Sequence, residues 1–166
     1  MRSLEETLNY KNDSVLNKFR VLYESSLPEA QEIAREAYRW LWLNARLKQD
    51  RLQNLEGIPR ILVIHLGMAV VDEYWHTFVL HTRDYEQFCM DYLGTFIHHS
   101  PSAPNFQPIS REETELQLNY ICEVVGEDTM IRWYEEYPVR YSAEVLIKLQ
   151  KPRLFDQPCE AVHHES

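Results

Sequence analysis

The sequence has little glycine. It contains four glycines against eight prolines in 166 residues, and it has no Asn-Gly or Asp-Gly pair of the kind that marks a tight β-hairpin. No segment shows the strict alternation of apolar and polar residues that a half-buried strand requires. These absences favour long regular helices over a β architecture.

Positive charge is also scarce. The chain has 17 Lys and Arg residues and 26 Asp and Glu residues, for a formal net charge of −9. No basic run exceeds two residues, whereas a duplex-binding protein needs clustered cations to displace counterions. We therefore expect no nucleic-acid partner and no anionic membrane partner. The partner is expected to be an unknown protein or small molecule, and a basic surface or a cation suits this charge best. No nucleotide cofactor is expected.

Cysteines are few and long apolar runs are absent. Cys89, Cys122 and Cys159 are odd in number, far apart and without a CxxC pair, which is typical of a reduced, intracellular chain. The longest apolar run, Ile61 to Val71, is too short for a membrane span, which needs about 20 residues. Residues 1–13 lack the apolar core of a secretory signal. The sequence thus predicts a soluble, cytoplasmic protein.

Histidines, by contrast, are concentrated in one stretch. Five of the seven lie within residues 57–101. Pro59 suits a first helical position, and the pattern predicts a helix from Pro59 to about Val79. On such a helix His65, Asp72 and His76, spaced by seven and four residues, fall within a band of about 40°.

An ionised carboxylate on a largely apolar helix is costly unless it is paired or coordinated. Two histidines and a carboxylate form a recurrent ligand set for zinc or non-haem iron. Asp72 could instead orient a neighbouring imidazole for acid–base chemistry, or accept hydrogen bonds from Trp75, a tyrosine or a backbone N–H. A buried helix whose polar groups pair with one another is the alternative without chemistry.

Three more histidines lie nearby in sequence. His81 stands where the first helix should end, because Thr82 suits the N-cap of a second helix that Gly94 should close. His98 and His99 should lie in a loop or at a helix end. If they fold back, four or five ligands converge for a divalent ion such as zinc, iron or manganese. The candidate metal ligands are His65, Asp72, His76, His81, His98 and His99.

The stretch from Asp72 to Pro101 resembles the conserved block of the glycine-rich domain-containing-protein-like family. That resemblance implies a largely helical domain with a His-rich motif and says little about chemistry, and the glycine-rich tail that names the family is absent here. The positions that carry the resemblance are Asp72 or Glu73, Trp75, His76, Leu80, His81, Tyr85, Phe88, Cys89, Gly94, His98 or His99, and Pro101.

Two other functions remain open. The protein could be a non-catalytic interaction module in which the His, Trp and Cys motif is structural, or an enzyme that uses Cys89 as a nucleophile with a histidine. No reaction or substrate follows from the residues, so whether the protein is an enzyme stays undecided.

The rest of the chain predicts further helices. Ser26 and Pro28 should open a long one that runs to about Leu52, Ser110 should cap another that Gly126 closes, and Pro138 should break the pattern after it. We predict one compact all-α domain of about five to seven helices over residues 1–150, with the His-rich motif at 57–101. Residues 1–12 should be lightly packed, 101–109 a connector or a lid, and 151–166 a flexible tail.

Overall fold

The longest helix, α3 (Leu27–Leu52), lies at the centre of the fold. The Ser26 side chain accepts a hydrogen bond from the Glu29 N–H and Pro28 occupies the first turn, as the sequence predicted. Apolar residues on all sides of the helix are buried, including Trp40 and Leu41. The computed structural model describes residues 1–99 and 109–151, so the predictions for most of 101–109 and of the tail lie outside the described residues.

Two short helices precede α3 and pack on it: α1 (Leu4–Leu8) and α2 (Asp13–Leu22). The start of the chain is lightly packed as expected, since Thr7 is the only buried residue among residues 1–12, but it is ordered. Ser3 and Glu6 form a capping box on α1, and the Arg2 carbonyl accepts a hydrogen bond of 2.9 Å from Trp42 Nε1 on α3. The N-terminal residues are therefore held against α3.

The predicted helix from Pro59 to Val79 is wrong in its first half. Residues 53–65 are not helical; a 3₁₀ turn at Leu66–Met68 leads into α4 (Ala69–Leu80). The Gln117 side chain bonds both the N–H and the carbonyl of Val63, each at 2.9 Å. This distant amide satisfies the backbone groups that a helix would otherwise pair.

The 3₁₀ turn lies very close to the C-terminal part of the structure. A side chain at Gly67 would place its Cβ 2.4 Å from Pro138 Cγ, so only glycine fits there without a shift. This close approach joins the start of α4 to the helices that follow residue 109.

Helix α4 leads directly into α5 (Thr82–Phe88) and a π-helical turn at Cys89–Leu93. Gly94 adopts the left-handed conformation (φ 68°) and ends this helix as predicted. No side chain caps α5, and Thr82 is its first residue, so the predicted cap at Thr82 is wrong.

After residue 109 the chain is again helical. Ser110 caps the first of these helices and Gly126 ends it. Pro138 does not break the structure; it lies in the first turn of a short helix, where its missing N–H costs nothing. The elements are α6 (Arg111–Val125), α7 (Glu127–Ile131), a π-helical turn (Arg132–Glu136), α8 (Tyr137–Arg140) and α9 (Ala143–Leu149).

The prediction of a single compact all-α domain is confirmed. The described ranges contain no strand, only an isolated bridge between Tyr23 and Gln150. Across residues 1–99 and 109–151, no helix combines the length and apolar character that crossing a bilayer demands.

Candidate metal centre

Three of the predicted ligands come together at the start of α4. Asp72 and His76 lie one turn apart on that helix, and His99 reaches them from the segment that follows the π-helical turn. One ligand atom from each residue lies within 4.8 Å of the other two. This spacing is compatible with all three binding one ion.

The Asp72–His76 pair follows from helix geometry, since residues four apart face the same side. His76 Nδ1 lies 2.8 Å from the Asp72 backbone carbonyl and 3.4 Å from the carboxylate Oδ2. A carbonyl oxygen only accepts hydrogen bonds, so Nδ1 must carry the proton. In the neutral ring Nε2 then has a free lone pair that could bind a metal.

His99 is the most buried member of the group. Its Nε2 lies 3.1 Å from Asp72 Oδ1, and its side chain is 12% exposed, against 31% for Asp72 and 48% for His76. Its ring packs against Trp75 at 4.3 Å and against His76 at 4.1 Å between centroids. The two aromatic contacts fix the plane of the His99 ring.

Tyr85 holds the segment that carries His99. Its hydroxyl donates to the Ile97 carbonyl at 2.6 Å and accepts from Trp75 Nε1 at 3.0 Å. Burial raises the pKa of Tyr85, which keeps this hydroxyl protonated. The sequence identified Tyr85 only as an apolar-face residue and considered Trp75 as a donor to Asp72; nothing in the spacing of the residues indicates the actual pairing.

The other predicted ligands point elsewhere. His65 stacks on Tyr134 with centroids 4.1 Å apart, and its Nδ1 accepts a hydrogen bond from the Gly67 N–H. Burial lowers the pKa of His65, which favours the neutral ring. His81 Nδ1 donates to the Thr77 carbonyl at 2.9 Å.

His98 is exposed and packs against Phe96. The condition for four or five converging ligands is therefore not met: within the described ranges the group contains three residues. The band containing His65 also fails, because residue 65 precedes the helix that carries Asp72 and His76.

Cys89 is fully buried. Burial also raises the pKa of its thiol, and the thiolate is the nucleophilic form. This environment suits a packing residue and disfavours the nucleophilic role that the sequence left open.

The arrangement can hold an ion and leave part of its coordination shell open. Two imidazoles and one carboxylate supply three ligands, while tetrahedral zinc takes four and the two-histidine, one-carboxylate iron sites leave several positions free. Because His76 is about half exposed, the open side of the group faces solvent.

A comparison with protein-family models finds a match to the UCP032817-like family over residues 43–165, which include Asp72, His76 and His99. The resemblance to the glycine-rich domain-containing-protein-like family is therefore wrong; the shared aromatic, His, Cys and Gly order over Asp72–Pro101 was too short to decide. No curated protein and no solved structure gives a significant match.

Proposed function

Because the chain belongs to the UCP032817-like family, whose name specifies no activity, we propose a function from geometry alone: the protein binds one divalent metal ion through Asp72, His76 and His99. The observation that carries the proposal is the convergence of three ligand atoms within 4.8 Å. Two imidazoles and a carboxylate form a recurrent ligand set for zinc or non-haem iron.

The donor set favours zinc, iron or manganese. Imidazole suits zinc and iron, while a carboxylate oxygen extends the range to manganese. No thiolate is among the donors, since Cys89 lies buried elsewhere and keeps its proton. Three protein ligands with an open side resemble catalytic sites more than closed structural ones.

Metal content tests the proposal directly. We expect untagged protein, purified without added metal, to carry about one equivalent of a divalent ion by elemental analysis. His99→Ala should lose it, while His98→Ala, the exposed neighbour outside the group, should retain it. Both variants should also be made with His163→Ala and His164→Ala, so that the terminal histidines of the chain cannot scavenge metal.

A thermal-unfolding series provides the second readout. Metal that binds the folded state raises its melting temperature, so a chelator should lower the melting temperature of His98→Ala and leave that of His99→Ala unchanged. Equal metal content in the two variants, or no saturable binding of zinc, iron or manganese to either, would contradict the proposal.

The second candidate is a non-catalytic interaction module in which the motif is structural. It is favoured by the pairing of Asp72 with His99, at 3.1 Å, which satisfies the carboxylate without an ion. Under this proposal His99→Ala lowers the melting temperature by the same amount with and without chelator. The melting series therefore separates the two candidates.

A further inference from the structure

Glu73 is not a ligand of the candidate metal centre, but it stands between two of the ligands on α4. The order along the helix is Asp72, Glu73, two further residues and His76. In the His-Glu-x-x-His motif of metalloproteases the two outer residues bind the metal and the glutamate is the general base. Here Asp72 takes the place of the first histidine. We propose, on the basis of the proposed metal function, that Glu73 is the general base in the metal-dependent hydrolysis of an ester or amide that carries an apolar acyl group.

Helix geometry puts Glu73 on the open side of the candidate metal centre. A helix turns by about 100° per residue, so Glu73 lies about 60° from His76 in one direction, and Trp75 lies about 100° from it in the other. The His99 ring packs against Trp75, with centroids 4.3 Å apart, and closes the group on that side. The ligands among the described residues therefore leave free the side that carries Glu73.

A hydrogen bond from Tyr23 fixes the Glu73 carboxylate. The Tyr23 hydroxyl donates to Oε2 at 2.5 Å, and Tyr23 is the residue that ends α2. An ionised carboxylate can accept several hydrogen bonds, so Oε1 can still take a proton from a water at the metal. The Glu73 side chain belongs to a partly exposed residue, as a base that meets a substrate must.

Glu73 also lines a groove between α4 and α9 that suits an apolar acyl group. The groove has a volume of about 430 Å³, and Glu73 is the one charged residue among the described residues that line it. Leu66 and Ile147 in the lining are 93% and 72% exposed, so an apolar ligand would remove apolar surface from water. The other apolar residues of the lining are Gly67, Ala69, Pro138, Ala143 and Leu146.

The reaction balances with water as the one co-reactant. Glu73 takes a proton from a water held at the metal, and the oxygen of that water forms a bond to the acyl carbon. The bond from this carbon to the leaving oxygen or nitrogen then breaks, and Glu73 passes the proton to the leaving group. The products are a carboxylic acid and an alcohol or amine.

Hydrolysis of p-nitrophenyl octanoate by the full chain loaded with zinc tests the role of Glu73. We expect hydrolysis that a chelator abolishes, and Glu73→Gln should lower kcat about a hundredfold or more, the usual contribution of a general base. The variant should bind as much zinc by elemental analysis, and its amide oxygen can still accept from Tyr23. Glu86→Gln, an exposed residue of α5, is the control and should keep the rate.

Hydroxamic acids, which bind metal ions through two oxygens, test the groove without turnover. By isothermal titration calorimetry, octanohydroxamic acid should bind the zinc-loaded chain about tenfold or more tightly than acetohydroxamic acid, because its chain is buried in the groove. Ile147→Glu should remove this preference. Leu52→Glu, at a residue that is 77% exposed and outside the groove, should retain it.

The outcomes separate this inference from the proposed metal function. Absence of bound metal overturns both. Zinc-loaded protein without chelator-sensitive hydrolysis, or a zinc-loaded Glu73→Gln variant with the unchanged rate, overturns the role of Glu73 and leaves metal binding intact. Equal affinity for the two hydroxamic acids overturns the groove as the site of the acyl group.

Discussion

A single hydroxyl, that of Tyr85, holds the third member of the candidate metal centre in place. It links the indole of Trp75 on α4 to the carbonyl of Ile97, two residues before His99. Both partners belong to residues that are less than a tenth exposed. Removal of the hydroxyl therefore leaves a donor and an acceptor without a partner in a buried place.

We expect Tyr85→Phe to lower the free energy of unfolding by about 1–3 kcal/mol, the cost of leaving buried polar groups unpaired. Urea unfolding followed by tryptophan fluorescence measures it. Tyr92→Phe is the matched control, since its hydroxyl makes no hydrogen bond with a described residue, and it should change stability little. Equal midpoints for the two variants would show that the Tyr85 hydroxyl does not stabilise the fold.

Tyr85 also shows which part of the candidate metal centre could be predicted from the sequence and which part could not. The Asp72–His76 pair follows from helical spacing alone, and it is present. His99 rather than His98 turns inward, packed on Trp75 and His76, in a segment that the Tyr85 hydroxyl holds through the Ile97 carbonyl. Periodicity carries no information about such a contact, so both histidines remained candidates.

At the level of elements, α3 is joined to the C-terminal helices by a buried carboxylate. Glu36 is 3% exposed; it accepts hydrogen bonds from Trp133 Nε1 at 2.9 Å and Arg132 Nη1 at 3.1 Å. Arg39 adds a third donor from within α3. The carboxylate thus holds the π-helical turn against the central helix.

Glu36→Ala should destabilise the fold by about 3 kcal/mol, because it leaves the buried indole N–H and the guanidinium of Arg132 without their acceptor. Glu115→Ala breaks a Glu–Arg pair on the exposed face of α6, where the side chain of Arg111 is 89% exposed. That control should cost less than about 1 kcal/mol. Denaturant unfolding measures both, and similar losses would contradict the assigned role of Glu36.

Helix ends were predictable where a local residue sets them. Two helices begin where a serine side chain caps them, at Ser26 and Ser110. Two helical segments end at a glycine, Gly94 and Gly126. The helix predicted from Pro59 failed because Gln117, more than fifty residues away, pairs the backbone of Val63 instead. Pro59 is a local signal for the start of a helix. Whether the residues after it become helical or extended depended on Gln117, which is distant in sequence.

At the level of the whole molecule, the family match begins at residue 43, inside α3. The candidate metal centre lies within the matched part. The first half of α3 nevertheless covers core residues of the matched part: Trp40 packs on Trp133 at 5.7 Å, and Tyr38 on Tyr74 at 5.9 Å.

A fragment that spans residues 43–166 should therefore fail to fold on its own. It lacks the buried aromatic partners of Trp133 and Tyr74, and α3 would lose its N-terminal cap at Ser26. We expect reduced helical circular dichroism and no cooperative thermal transition, in contrast to the full chain. A sharp transition in the fragment would show that the matched part is an independent folding unit.

The contact at Gly67 has a consequence for how sequences of this family can diverge. Any side chain at position 67 would strike the Pro138 ring, and it would also press on the His65 ring, whose Cε1 lies 2.7 Å from the point that an added Cβ would occupy. Substitution at 67 is tolerable once a smaller residue stands at 138 and the imidazole has moved. Relatives that retain this fold should thus vary at 65, 67 and 138 in concert.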